Sequence, residues 1–281
     1  MKTKRKMKRK KRGIFAFYIP LVFFTVFVMA PFVWTFITSL KNNNEMFKMP
    51  FRYLPENPSF KNYVELMQTT EFLFNMKNSF IASFSTVLIA GVISVMAGYA
   101  FSRYRFKGRN ALLAGFLMLY LVPQTLLLMP LYVIFKQIGI IHTVLSLIVA
   151  YSTYAIPYSV WLTTSFINQV PRELEEAAMI DGCNLPRCII QIVLPLVKPG
   201  IIASCSFIFI TCWNEYAYAV LFTDKTSRTV TVALASFMSQ FNIRWDMITA
   251  GGIIIVIPVV IMFMFMQRDL VAGLTAGGVK G

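Results

Sequence analysis

Charge is what this sequence has little of. Only 14% of its 281 residues are Asp, Glu, Lys or Arg, and just 12 of those are acidic, whereas a soluble domain carries about 25% charged residues. A water-facing globular surface is therefore excluded as the main design, and a mean hydropathy of +0.64 places the chain in the membrane class before any motif is read. Histidine occurs once, at His142, with no catalytic or metal partner beside it. The four cysteines, Cys183, Cys188, Cys205 and Cys212, match no zinc spacing and read as reduced structural residues. No Gly-rich phosphate loop, no His/Glu metal pair and no serine flanked by a base is present. Neither catalysis nor a metal or cofactor bound by this chain is expected.

What is abundant is apolar sequence, 57% of the residues, and positive charge, with 27 Lys and Arg giving a net +15. In a soluble protein that balance points to nucleic acid. Here nine of the basic residues lie within the first twelve positions, and Arg103, Arg105, Lys107 and Arg109 form a second group. Each group abuts a long apolar run, so both read as topology-setting flanks beside anionic lipid, and no nucleic-acid partner is expected.

Six windows are long enough to cross the hydrocarbon core as helices: Gly13–Leu40, Asn78–Ser102, Asn110–Phe135, Thr143–Val170, Pro199–Thr223 and Met247–Gln267. They are continuous rather than alternating, which excludes a β-barrel. The first is too long for a signal-peptide core and reads as an uncleaved span. Pro31, Pro123, Pro130, Pro157 and Pro258 predict kinks. With the N-terminus inside, the inner segments hold 18 Lys and Arg and the outer segments 9. The positive-inside rule then puts both termini in the cytoplasm. The expected organisation is a basic N-terminus over 1–13, an all-α, six-helix transmembrane domain over 14–267 with a cytoplasmic loop at 169–198, and a cytoplasmic tail over 268–281.

Two outer segments are long enough for structure of their own. Lys41–Lys77 carries Pro50, Pro55 and Pro58, and Asp224–Asp246 carries Phe237, Phe241 and Trp245. They read either as solvated connectors or as a docking surface outside the membrane.

The inner segment Asn168–Lys198 exceeds what a connection requires. Within PRELEEAAMIDG, Pro171 opens a helix, Glu173, Glu175 and Glu176 occupy its first turns, and Gly182 supplies the stop. Leu174, Ala177, Ala178 and Ile180 make a small apolar surface, kept low by the alanines so that another protein can approach closely. A helix lying on the lipid surface is usually rich in Lys and Arg, whereas three glutamates and Asp181 here oppose Arg172. Glu176-Ala177-Ala178, Gly182 and the later Ile192, Leu194 and Pro195 match seven positions at fixed spacing. This segment resembles the EAA loop of bacterial ABC importer permeases.

The resemblance implies a type I ABC importer permease fold in a bacterial cell membrane. It also implies a coupling helix that docks into a cleft on an ATP-binding subunit through Glu176, Ala177, Ala178, Asp181, Gly182, Ile192, Leu194 and Pro195. ATP and Mg then belong to the two partner ATPase subunits. The tail from Gln267 to Gly281, and Trp213-Asn214-Glu215-Tyr216, are similar to the maltose-type permeases of carbohydrate importers, in particular their shorter subunit. The implied partners are a second, longer permease subunit, an external or periplasmic solute-binding protein, membrane lipid and a sugar. Leu274, Thr275 and Gly277 would contact the ATPases. A permease for a non-sugar solute, and a secondary transporter, remain the alternatives.

Glu215 is the one charge within a predicted span, some fifteen residues above Gly200 and so about 22 Å up a helix. Asn214, Glu215 and Tyr216 read either as lining the solute path or as packing glue between helices.

Overall fold

The computed structural model describes residues 2–238 and 243–278, with the side chains of residues 2–16 and 269–278 left outside that description. Among the described residues it is helical apart from turns and one isolated antiparallel bridge between Met238 and Ile243. Five helical stretches are long and apolar enough to span a membrane: Phe17–Ser39, Phe72–Arg103, Val144–Ile167, Leu185–Trp213 and Trp245–Arg268. A sixth span exists if Arg109–Leu121 and Gln124–Gln137, which meet at 90°, are taken as one broken crossing.

The chain divides into two compact units. One comprises residues 1–70 and 236–256. It contains α1 (Lys2–Ser39), a short 3-10 turn at Asn43–Phe47, α2 (Lys61–Thr69) and the first turns of α12 (Trp245–Gly278). From Phe17 to Val33 the side chains of α1 are exposed, as suits a helix facing lipid or another apolar helix. The polar segment after α1 is tightly folded rather than a loose connector. Asn62 donates to the carbonyls of Ser39 at 2.7 Å and Lys41 at 2.8 Å, satisfying acceptors that the helix end leaves open. Lys41 is buried, donates to the Arg52 carbonyl at 2.7 Å, and lies over the rings of Trp34 and Phe51. Arg244 bridges Glu65 at 3.0 Å and Asp246 at 2.9 Å. A polar cleft of about 590 Å³ opens beside that bridge, walled by Asn43, Glu45, Lys61 and Asp246 among others. Of the aromatic outer residues, Phe241 lies outside the described residues.

The other unit comprises residues 71–235 and 257–281. It is built on α3 (Phe72–Arg103), which packs chiefly against α6 (Val144–Ile167) and α9 (Leu194–Trp213). Small residues let these helices approach, as is usual where lipid offers no hydrophobic drive to helix pairing. Ala82 and Ala90 of α3, Ala150 and Ala155 of α6 and Ile208 of α9 are buried in one cluster. A Cβ on Gly98 would fall 3.2 Å from the backbone of Thr164. The same unit holds α4 (Arg109–Leu121), α5 (Leu128–Gln137), α7 (Arg172–Ile180), α8 (Leu185–Cys188), α10 (Ala217–Phe222) and α11 (Val230–Ala235).

Two expectations about the spans, the third and the fifth, need correction. Asn110–Phe135 is not one straight crossing. It breaks at Val122–Pro123, where Pro123 cannot continue a helix and drives the residue before it into extended backbone, with Val122 at ψ 126°. The fifth span starts near Leu185 rather than Pro199, because α8 runs through a π turn at Ile189–Val193 into α9 without a stop. It also ends at Trp213 rather than Thr223, so Glu215 stands in the break before α10 and not within a helical span. The last expected window, Met247–Gln267, falls within the apolar stretch Trp245–Arg268, and the helical backbone continues to Gly278, while the side chains of Leu274, Thr275 and Gly277 lie outside the described residues.

Candidate functional site

The inner segment folds as its sequence suggests, with one exception that changes its meaning. Pro171 precedes the first turn of α7, and Glu173 and Glu175 lie in that turn. At the other end Gly182 adopts φ +86°, where an L side chain is strained. Its N–H donates to the Met179 carbonyl at 3.1 Å, and the Cys183 N–H donates to that of Ala178 at 3.0 Å. This pair of bonds is the Schellman arrangement, and it closes the helix sharply. Asn184 then caps α8 by accepting from the Arg187 N–H.

Leu174, Ala177 and Ile180 sit three residues apart and are all exposed, Ile180 at 86%. Glu173, Glu176 and Asp181 are exposed around them. Ile180 is therefore left unpacked in this chain, with acids around it. Ala178 is half-buried and so turns partly away from that face. Ile192 and Leu194 are half-buried as well. Leu194 packs with Tyr99, Ile167, Val193 and Val197, while Pro195 is exposed at the start of α9. Leu194 therefore packs the loop onto neighbouring helices, whereas Pro195 remains at the surface.

The exception is Glu175. Sequence reading placed it beside Glu173 and Glu176 in the first turns of the helix, yet it is 5% exposed and faces α3. Its carboxylate pairs with the Arg103 guanidinium, Nε at 2.7 Å, and accepts from the Tyr99 hydroxyl at 2.7 Å. Arg103 also donates to the Val170 carbonyl, Arg172 to the Ser102 carbonyl, and Ser102 to Asn168. The base of α3 and the short inner helix are thus joined through a desolvated ion pair. Nothing in local spacing marks Glu175 apart from Glu173 or Glu176. The signal available was Arg103, a cation at the very end of an apolar span with no acid close in sequence.

The Asn214–Tyr216 trio splits. Glu215 accepts from the N–H groups of Tyr218 at 2.8 Å and Ala219 at 3.1 Å, and from the Tyr151 hydroxyl at 3.2 Å. Its carboxylate caps α10 and ties it to α6. Asn214 bonds back to the Ile210 carbonyl, and Asn214 and Tyr216 are exposed. Among the described residues no group of His, Cys, Asp and Glu could hold a metal ion.

The described residues thus hold apolar helices long enough to cross a membrane and one short helix, α7, with an exposed apolar face rimmed by acids. The family model of the binding-protein-dependent transport system inner membrane component matches residues 90–275, and the chain belongs to that family. Over 268 residues it is 34% identical to the inner membrane ABC transporter permease protein YcjP of Escherichia coli, covering 94% of this chain and 96% of that protein. Over 267 residues it is 33% identical to the trehalose/maltose transport system permease protein MalG of Thermococcus litoralis, covering 94% and 95%. It is 30% identical to the diacetylchitobiose uptake system permease protein DasC of Streptomyces coelicolor over 275 residues, covering 96% and 100%. Among solved structures, a chain of a bacterial ABC transporter involved in import of the polysaccharide alginate superposes with a TM-score of 0.76 at 18% identity, covering 94% of this chain and 98% of that one. The chain is therefore an inner-membrane ABC importer permease with the all-α fold of such subunits.

Proposed function

We propose that the cargo is a sugar or short oligosaccharide, and that the chain forms the path together with a second, longer permease subunit. The relatives named for trehalose, maltose and diacetylchitobiose, which align over nearly the whole chain, carry this reading. A solute-binding protein delivers the sugar at the outer face. Two ATPase subunits, which hold the ATP and Mg, accept the coupling helix α7 with Glu176, Ala177, Asp181 and Gly182 at the contact and Ala178 at its edge. Leu194 braces that helix against the spans, with Ile192 and Pro195 on either side of it. ATP-driven closure of the ATPases then moves α7, and the spans alternate between outward and inward access. The tail residues Leu274, Thr275 and Gly277 would add a second contact with the ATPases.

The observation that carries the docking assignment is the exposed Leu174–Ala177–Ile180 face among acids on the inner side. Transport of labelled maltose, trehalose and diacetylchitobiose by the assembled complex in vesicles tests the cargo, and uptake of none of them would overturn the sugar reading. For docking, Ala177→Trp, Ile180→Asp and Glu176→Lys are each expected to release the ATPases on purification. Retention of wild-type amounts would overturn it. Removing residues 274–281 is expected to change ATPase activity in the complex if the tail makes its contact.

A further inference from the structure

The inner ion pair is one end of a longer construction. α3 has 32 residues, about 48 Å at 1.5 Å per residue, and is bonded at both ends to segments far away in sequence. At the inner end, Tyr99 and Arg103 hold Glu175 of α7. At the outer end, the buried Asn78 side chain donates to the carbonyls of Thr226 at 3.3 Å and Arg228 at 3.1 Å, and the Ser79 hydroxyl accepts from the Val230 N–H at 2.8 Å. Between these anchors Ala82, Ala90 and Gly98 give the helix a low face packed closely against its neighbours.

Resting on the docking of α7 proposed above, we infer that α3 is a transmission rod. It carries displacement of the coupling helix to the outer segment 224–235, and Glu175 and Arg103 are positioning residues that form its inner joint. The reasons are chemical. α7 is joined to its chain neighbours only by short turns, Asn168–Pro171 on one side and Asp181–Asn184 on the other. A push on its exposed face would otherwise be absorbed in those turns. A buried pair bonded through Glu175 to both Tyr99 and Arg103 resists separation far better than an exposed pair, because pulling it apart strands a charge out of water. Simple packing at that spot needs no charge, and two apolar side chains of similar volume would serve it as well or better. Retaining the pair fits a joint that must not slip.

The same logic supplies a test. The double variant Glu175→Leu/Arg103→Met replaces the pair by apolar groups, so the fold and the exposed face of α7 are preserved while the joint is lost. The complete complex with its ATPase subunits is purified, and amide hydrogen exchange of residues 224–235 is compared without nucleotide and with ATP, Mg and vanadate. In the wild type, nucleotide is expected to change exchange in that segment by roughly tenfold, the size of a typical coupling between distant sites. In the double variant the ATPases are expected to remain bound and the change to vanish. Asn78→Ala/Ser79→Ala, which opens the outer joint, is expected to abolish the same response.

A response that persists in the double variant, or is missing from the wild type, would overturn the rod. Loss of the ATPases from the double variant would overturn it too, since Glu175 would then hold the docking face itself. Failure of the docking reading shows separately, as ATPases retained by Ile180→Asp.

Discussion

Gly200 of α9 lies directly against the ring of Phe166 on α6: a Cβ built at Gly200 would fall 2.2 Å from the nearest ring atom. The contact adjoins the Tyr99–Val197 cluster on which the coupling loop is seated, so the spacing between α6 and α9 at this level depends on the absence of one methyl group. Gly200→Ala is expected to force the ring or the helix aside and cost about 1–3 kcal/mol. Thermal unfolding of the detergent-solubilised complex reads this as a lowered midpoint. The partner variant Phe166→Ala, which removes the ring, is expected to rescue part of the loss when combined with it.

Gly182 carries a different constraint. No atom lies within 4 Å of the Cβ it lacks, so there is room for a side chain, but φ +86° disfavours one. Gly182→Val is expected to cost about 1–2 kcal/mol in the left-handed conformation, or else to undo the two bonds that close α7. The expected readout is a several-fold fall in ATPase recovered with the complex, with the spans unaffected in thermal unfolding. Recovery equal to wild type would show that the sharp end of α7 is dispensable for docking.

How much of this was legible beforehand depends on whether the signal is local. Most of the apolar windows, the stop at Gly182 and the exposed apolar row of Leu174, Ala177 and Ile180 come from short-range pattern, and each appears in the structure. Glu175 did not stand out because its partners, Tyr99 and Arg103, lie more than seventy positions away, and pairing over that distance leaves no trace in helical spacing. The end of α9 was misplaced for a related reason. The break after Trp213 contains no proline or glycine. It forms because the Glu215 carboxylate accepts the first N–H groups of α10 and offers the backbone an alternative to continuing the helix. The bend after Leu121 was written locally, in Pro123, but a proline within an apolar run reads as a kink and its angle is set by packing.

On the outer side, Arg244 joins α2 to the first turn of α12 by contacting both Glu65 and Asp246. The bonds from Asp246, and then from Glu65, hold its guanidinium pKa above the ordinary arginine value. Asp246 is 4% exposed, so Arg244→Met leaves a buried acid without its cation. The half-exposed arginine limits the effect to about 1–2 kcal/mol, read as lower thermal stability. Arg244→Met/Asp246→Asn is expected to recover most of it, and an additive double variant would show that the two residues act separately.

Glu215 offers the clearest choice between a path residue and a structural one. Its two carboxylate oxygens are committed to the N–H groups of Tyr218 and Ala219 and to the Tyr151 hydroxyl, which leaves little capacity for a passing solute. Removing such a cap costs about 0.5–2 kcal/mol. Glu215→Ala is therefore expected to lower the unfolding midpoint of the complex, and Glu215→Gln, which retains one carbonyl acceptor, to lower it less. Uptake expressed per assembled complex is expected to be unchanged in both, because the loss lies in the number of complexes that survive assembly. Asn214→Ala and Tyr216→Ala, on exposed neighbours, provide the contrast: a change of apparent solute affinity there, with normal stability, is expected if this bend borders the path. Normal stability with lost uptake in Glu215→Gln would instead make the carboxylate itself part of the path, and the bonds to α10 would then be the resting state of a group that releases them during transport.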